Sequence, residues 1–553
     1  MIHIDQMKIG IEEIQKGIPK ELLKRGVIGT EEEMLVRTFI AKKIRISSEE
    51  MKDFRIIKKS VDARKKAQIF LVYQVQFSCK NEKKFYEKNQ KRNVTLVENP
   101  PLGREPLGTK RMKEQMGKKK NSPVVVGFGP AGIFAALILA RAGLEPFVVE
   151  RGMDAGKRKE CVEQFWRTGI LNPESNVQFG EGGAGTFSDG KLNTMVKDRT
   201  GKNRQVLETL VEFGAPPEIL YLQRPHIGTD RLQEVVTGIR KEIIRFGGSV
   251  SFETKVVDFC TEDGRLRGVV LEKAGKRWER KCQELILATG HSARDIFYRL
   301  KELQVKMEPK AFAVGVRVEH PQELIGKNQY GRFHEILPAA EYKLTYQTEK
   351  NRGVYSFCMC PGGYVVNSSS EEKGLVVNGM SDYLRDGKNA NSAIVVTVSP
   401  ADFSGEDVLS GVEFQKKYER AAFLEAGGKI PVQLFSDFLR KEKSSSFGGY
   451  LPQMKGEYAF GNLRNILPEF VGEAIAEGMK AFGKRIQGYD REDAVLSGIE
   501  SRTSSPVRIL RNEHFLSSVT GLYPCGEGAG YAGGITSAAM DGIRVAEEIV
   551  RNF

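Results

Sequence analysis

The chain has 553 residues, 40% of them hydrophobic, enough for roughly two to four domains and a sizeable core. Its seven cysteines are an odd set without a CxxC pair, which argues against a disulfide framework and for a reducing compartment, the cytoplasm. The net charge of +14 is lopsided: residues 1–120 hold 29 Lys+Arg against 16 Asp+Glu, while the other 433 hold 56 against 55.

A basic segment beside a neutral body reads in two ways, as an element that binds nucleic acid or another polyanion, or as a solvated face with a charged linker. The opening MIHIDQMKIGIEEIQ lacks the basic start and long apolar run of a signal peptide. Residues 1–98 read as a small α/β unit. A helix is expected over Glu12–Arg25 despite Gly17 and Pro19, strands over Phe39–Ile46 and Ala67–Phe77, and a capping box at Ser47-x-x-Glu50. In the last strand Tyr73, Val75 and Phe77 share one face, Gln74 and Gln76 the other. Residues 99–122 combine Pro, Gly and a lysine run and are expected to be a linker.

Pro123–Glu150, PVVVGFGPAGIFAALILARAGLEPFVVE, reads as strand, glycine turn, apolar helix, strand and acid, which is the dinucleotide fingerprint in full context. Gly127 permits the tight turn, Gly129 lets a pyrophosphate approach the backbone, and Gly132 lets the helix pack on the sheet. Pro130 and Ala131 open that helix, whose N-terminus favours a diphosphate. Glu150 stands where a carboxylate accepts hydrogen bonds from ribose hydroxyls, and a 2′-phosphate would meet it badly. Asn121–Ala140 carries no charge, but its glycines, prolines and short apolar core argue against a membrane span.

Helices are expected at Glu160–Thr168, Arg204–Phe213 and Thr229–Phe246, and strands at Ser249–Phe259 and Arg265–Leu271. Between them lies the glycine-rich loop Phe179–Lys191, whose five glycines allow backbone to lie against a planar ring. Glu181, Ser188, Asp189 and Lys191 are its polar candidates. Asp189-Gly190 also reads as a simple tight turn with a surface lysine. His226 and His291 are candidate general acids or bases with a pKa near working pH, or structural hydrogen-bonding groups. The six histidines show no metal-ligand spacing, so no metal is expected. Cys358 and Cys360, alternate residues of a strand, would share one face, either as a pair open to redox chemistry or as two small buried residues.

The order of GFGPAG with Glu150, LILATG (Leu285–Gly290) and GLYPCGEGAGYAGGITSAAMDG (Gly521–Gly542) resembles the FAD architecture of glutathione-reductase-type flavoproteins with two dinucleotide-binding domains. KKSVDARKK (Lys58–Lys66), Phe165–Thr194, PHIGTD (Pro225–Asp230), ATGHSARD (Ala288–Asp295) and FCMCPGG (Phe357–Gly363) resemble a family of bacterial and plastid FAD-dependent dehydrogenase-like proteins across nearly the whole chain. The resemblance implies non-covalent FAD held by Gly127, Gly129, Pro130, Ala131, Gly132, Glu150, Arg151, Gly183, Thr289, Gly290, Gly526, Glu527, Gly533, Gly534 and Ile535. Asp189, Lys191 and His291, from the reading of the residues themselves, are the catalytic candidates. It implies an α/β fold with a discontinuous Rossmann-like FAD-binding domain (123–292 and 506–553), an inserted α+β substrate or cap domain (293–505), and the small N-terminal α/β domain. The redox CxxxxC pair of disulfide reductases is absent, and 293–501 shows no second glycine-turn unit, so NAD(P)H would bind only as a transient donor. The expected function is hydride transfer between flavin and an organic substrate. The alternatives are a nucleic-acid-associated flavoenzyme that modifies RNA and a non-catalytic FAD-binding scaffold.

Overall fold

The computed structural model describes residues 1–90, 93–97, 122–194, 196, 198–403, 405 and 407–552. The linker expected at 99–122 lies outside them, its last residue apart. The chain divides into two compact units. The first comprises Met1–Glu105, Pro216–His226 and Gln322–Glu341, and the second comprises the remainder. Nothing in the residue pattern of Pro216–His226 or Gln322–Glu341 marks them as part of the N-terminal unit.

In the first unit, β1 (Ile2–Gly10), β2 (Lys52–Asp62), β3 (Phe70–Ser78) and β4 (Val94–Leu96) form an antiparallel sheet in the order β2-β3-β1-β4. Helix Thr30–Ile44 crosses from β1 to β2, and helix Glu82–Asn89 from β3 to β4. This is the split β-α-β arrangement. Ile2, Ile4, Met7 and Ile9 of β1 and Leu71, Tyr73, Val75 and Phe77 of β3 face the core, which Phe333 and Leu337 of the third segment help to close. The second segment caps the outer edge of β2: Lys59 N–H donates to the Tyr221 carbonyl (2.7 Å) and Gln223 N–H to that of Lys59 (2.9 Å).

Two expectations change here, and two strands are added. Phe39–Ile46 is not a strand, because Val36, Ile40 and Ile44 recur every fourth residue and are buried along helix Thr30–Ile44. The helix over Glu12–Arg25 breaks at Gly17–Pro19 into Ile11–Ile14 and Lys20–Arg25. β1 and β2 were not foreseen: a register shift at Gln6 (φ +55°) breaks the alternation of β1, and charges mask β2. The capping box at Ser47 and Glu50 is formed.

The second unit contains β5 (Val124–Val126), β6 (Phe147–Val149), β7 (Ser249–Ser251), the meander β8 (Lys255–Glu262), β9 (Arg265–Lys273) and β10 (Lys276–Lys281), and β11 (Leu285–Leu287). β5, β6, β7, β11 and Leu522–Pro524 form one parallel sheet, with β5 at its centre and Leu522–Pro524 beside β11. Two helices pack closely beside it: a Cβ on Gly542 of Ile535–Asn552 would lie 2.1 Å from the Ala131 carbonyl oxygen of Pro130–Arg141.

The chain between β11 and Leu522 builds a seven-stranded sheet centred on Phe312–Pro321, flanked by Asn389–Val398 and Val495–Glu500. The small sheet carrying Val377–Met380 lies on one face, where Gly379 leaves no space for a Cβ above Arg317. Arg317 is fully buried and donates to Glu500 (2.8 Å), Asn391 (2.5 Å), Asn378 (3.1 Å) and the Cys358 carbonyl (3.1 Å). Among the described residues no helix is long and apolar enough to cross a membrane.

Candidate cofactor and active site

The site begins at the C-terminal edge of the parallel sheet. Gly127 follows β5 at φ +95°, and a Cβ there would lie 2.4 Å from the Ala288 carbonyl oxygen, so only glycine fits between β5 and β11. Gly129 caps helix Pro130–Arg141, with Pro130 at its first position, where a missing N–H costs nothing. A Cβ on Gly132 would come within 1.9 Å of the Gly127 carbonyl oxygen, so helix and turn touch backbone to backbone.

Glu150, at the end of β6, is buried. Its Oε2 accepts the Phe128 amide (2.8 Å), and its Oε1 accepts those of Gly152 and Gly180 (both 2.9 Å). The carboxylate therefore ties the glycine turn to the glycine-rich loop. Oε2 keeps one acceptor direction, because each carboxylate oxygen offers two. Arg151 pairs with Glu174 (2.8 Å) and Asp295 (3.0 Å) and lies over the Phe179 ring.

Sequence reading missed the residue that shapes the glycine-rich loop. Arg158 is buried in helix Ala155–Thr168 and donates to the carbonyls of Asn176 (2.9 Å), Val177 (3.0 Å) and Glu181 (2.7 Å) and to Thr186 Oγ1 (2.6 Å). Burial lowers its pKa to about 10, so it stays charged at neutral pH. Gly180, at φ +121°, leaves no room for a Cβ, which would stand 2.3 Å from Arg158 Cδ. Nothing in a lysine- and glutamate-rich helix marks this one arginine.

The loop then meets both helix N-termini. A Cβ on Gly183 would be 2.9 Å from Gly129 Cα. One on Gly185 would be 3.1 Å from Ile535 and 3.8 Å from Pro130. Gly290 and Gly528 also pass backbone to backbone, and Gly290, Gly533 and Gly534 have open space where a Cβ would be. Asp541 accepts the Gly526 amide (2.8 Å) and is gripped by Arg511 (2.7 and 2.9 Å), which also donates to the Pro524 carbonyl (2.8 Å) and stacks on Tyr531. Arg511 and Asp541 were likewise not anticipated.

Asp189 is buried and salt-bridged to Arg385 (Nε–Oδ1 2.9 Å) and Lys191 (3.0 Å), and Lys191 also donates to the Met359 carbonyl. Asp189-Gly190 is thus more than a surface turn. Arg385 comes from 196 residues downstream, too far for sequence spacing to reveal. His291 differs from the expectation. Burial, then the cations Arg502 and Arg294, push its pKa down to about 3, so it is neutral at working pH. Its Nε2 lies 4.0 Å from Glu527 Oε1. Burial pushes the Glu527 carboxyl up to about 7, against the Gly534 amide and Lys310. The titratable group here is the glutamate. His226 falls in the first unit.

Cys358 and Cys360 do not share a face. A bulge between Phe357 and Cys360, with Cys358 at φ +41°, leaves Cys358 exposed and Cys360 buried. Among the described residues no cluster of His, Cys, Asp and Glu is arranged to hold a metal.

Residues 311–503 match the family described as "FAD-dependent protein, C-terminal domain-like", and residues 1–78 match a domain of unknown function. An uncharacterized protein of Clostridium beijerinckii (strain ATCC 51743 / NCIMB 8052) is 52% identical over 520 residues, spanning 93% of this chain and 95% of that one. The chain belongs to the family of that clostridial protein. Similar solved structures include the flavin-dependent brominase Bmp2 (12% identity, 78% of each chain, TM-score 0.35). Another is a geranylgeranyl bacteriochlorophyll reductase-like protein of Thermoplasma acidophilum (12%, 78% of each chain, 0.34). A third is the glycerol-3-phosphate dehydrogenase of Bacillus halodurans complexed with FAD (12%, 80% of this chain and 66% of that one, 0.35).

Proposed function

We propose that the protein is an FAD-dependent oxidoreductase that moves hydride between flavin and an organic substrate. The observation that carries this reading is the convergence of two helix N-termini, Pro130–Arg141 and Ile535–Asn552, on one glycine-lined strip. Helix amides and the positive ends of helix dipoles favour a diphosphate at the first and the negative charge of a reduced ring at the second. Gly290, Gly533 and Gly534 leave the strip open to an extended ligand. Glu150 holds the turn and offers Oε2 to a ribose hydroxyl, which disfavours a 2′-phosphate. Bound FAD would supply two-electron chemistry at its ring.

The chain's own groups then have distinct tasks. Asp189 and Arg385 fix the loop, and with them the ammonium of Lys191. Glu527, with a pKa near neutrality, holds or releases a proton at its Oε1 beside neutral His291. Asp189 and Lys191 are read as the pair that orients substrate, and His291 as a neutral hydrogen-bonding neighbour.

The test is a visible spectrum of the purified protein, followed by anaerobic titration with NADH and then NADPH. Flavin bands bleached by a nucleotide support an oxidoreductase with that donor. Bound FAD reduced by neither directs the search to substrates that reduce it themselves. A colourless protein that takes up no added FAD overturns the reading.

A further inference from the structure

KKSVDARKK (Lys58–Lys66) has no part in the flavin site, yet it is the most basic stretch of the first unit's sheet. Lys52–Lys66 holds seven Lys or Arg against Asp53 and Asp62. Lys59 alone turns inward, where it pairs with buried Glu32 (2.6 Å), which also accepts the Tyr73 hydroxyl (2.6 Å).

The register fixes where the others stand. Arg55 pairs with Gln76, Lys58 with Gln74 and Asp62 with Phe70, while across β1 His3 pairs with Gln76 and Lys8 with Val72. Leu71, Tyr73, Val75 and Phe77 point into the core, so these partners occupy the outer face of the sheet. The face is polar and flat-ringed: Gln74 donates to Asp5 (2.7 Å), Lys8 bonds Asp62 (2.8 Å), and Lys8 lies 5.8 Å from the Phe70 ring. The β2–β3 hairpin then presents Arg64, 81% exposed, with exposed Lys65 and Lys66. Lys8, Arg55, Lys58, Arg64, Lys65 and Lys66 thus face Asp5 and Asp62, an excess of cations.

We propose that the outer face of β2-β3-β1, with the hairpin Arg64–Lys66, binds single-stranded RNA. Four-stranded sheets of this topology take unstacked bases on an aromatic ring of the central strands and phosphates on basic side chains at the edge and hairpin. Phe70 offers the ring, Gln74 and Gln76 offer amides able to donate and accept, and the hairpin offers the charge. Topology supplies the geometry, and charge selects the ligand, because the same fold hosts many functions. Duplex DNA would call for a helix or ribbon fitted to the major groove, which this flat face does not present.

The test uses the full chain, freed of nucleic acid, with a fluorescein-labelled oligouridylate of about 20 nucleotides between about 50 and 200 mM salt. Binding is expected to weaken with salt at a log–log slope of about −3, as for four phosphate contacts on a single strand. R64Q/K65Q/K66Q is expected to weaken binding at least tenfold and to flatten the slope by about 2, with R55Q/K58Q acting in the same direction. Far-ultraviolet dichroism and Tm equal to those of the wild type report that the variants are folded, and flavin reduction is read separately. No binding at the lowest salt overturns the proposal. So does equal affinity for duplex DNA, or binding unmoved by both variants, which would assign it to the basic residues of 99–121.

Discussion

A single added methyl group tests the glycine turn. Gly127→Ala forces a side chain into φ +95° and onto the Ala288 carbonyl, a strain of about 1–3 kcal/mol before any displacement of β11. The variant is expected to purify without flavin colour while keeping its overall far-ultraviolet dichroism. Glu319 is a second case. It is fully buried, its Oε1 accepts Gln453 N–H (2.7 Å) and Asn389 (3.1 Å), and burial raises its pKa to about 8 against those bonds and Arg317. The folded state therefore favours the protonated acid. The stability it adds is complete below the ordinary glutamate value and is lost as pH rises through about 8. Tm should fall between about pH 6 and pH 9 in the wild type and fall less in Glu319→Gln. Equal slopes would show that Glu319 does not titrate there. The glycine turn was legible because Gly127, Gly129 and Gly132 stand in one short run with one mechanical reason each. The protonation of Glu319 and the neutrality of His291 were not, since burial is a property of the assembled sheet.

At the scale of elements, a carrier hidden inside a helix holds the loop that faces the proposed flavin. Arg158→Met strips donors from three buried carbonyls, each worth about 1–3 kcal/mol when left unpaired. Bound FAD is expected to be lost on dialysis. Arg158→Lys should recover it only partly, because an ammonium cannot reproduce the planar fork that reaches Asn176, Val177 and Glu181 together. Full retention of FAD by the methionine variant would remove Arg158 from this role. The loop itself could be read from its glycines, and the helices Ala155–Thr168, Lys202–Glu212 and Thr229–Arg245 from their apolar period. Phe39–Ile46 was misread because a short Ile- and Phe-bearing run looks alike in strand and helix, and only the four-residue spacing back to Val36 separates them.

On the scale of the whole molecule, the parallel sheet could be anticipated from its three glycine motifs, because each follows a short apolar strand. The composition of the first unit could not, because Pro216–His226 and Gln322–Glu341 carry no letter that ties them to residues 1–98. That arrangement has a genetic consequence. Phe333 (5% exposed) and Leu337 (1% exposed) complete a core whose other buried members all lie between Ile2 and Val94. A gene cut between codons 98 and 122 would leave one product with an unfinished core and the other with two stranded apolar segments. Each half expressed alone is expected in the insoluble fraction, whereas co-expression should return a soluble, flavin-coloured pair. A soluble, monomeric 1–98 fragment would show the opposite. The N-terminal unit is therefore not a detachable cassette: a lineage can gain or lose it only together with the insertions that it draws from the rest of the chain.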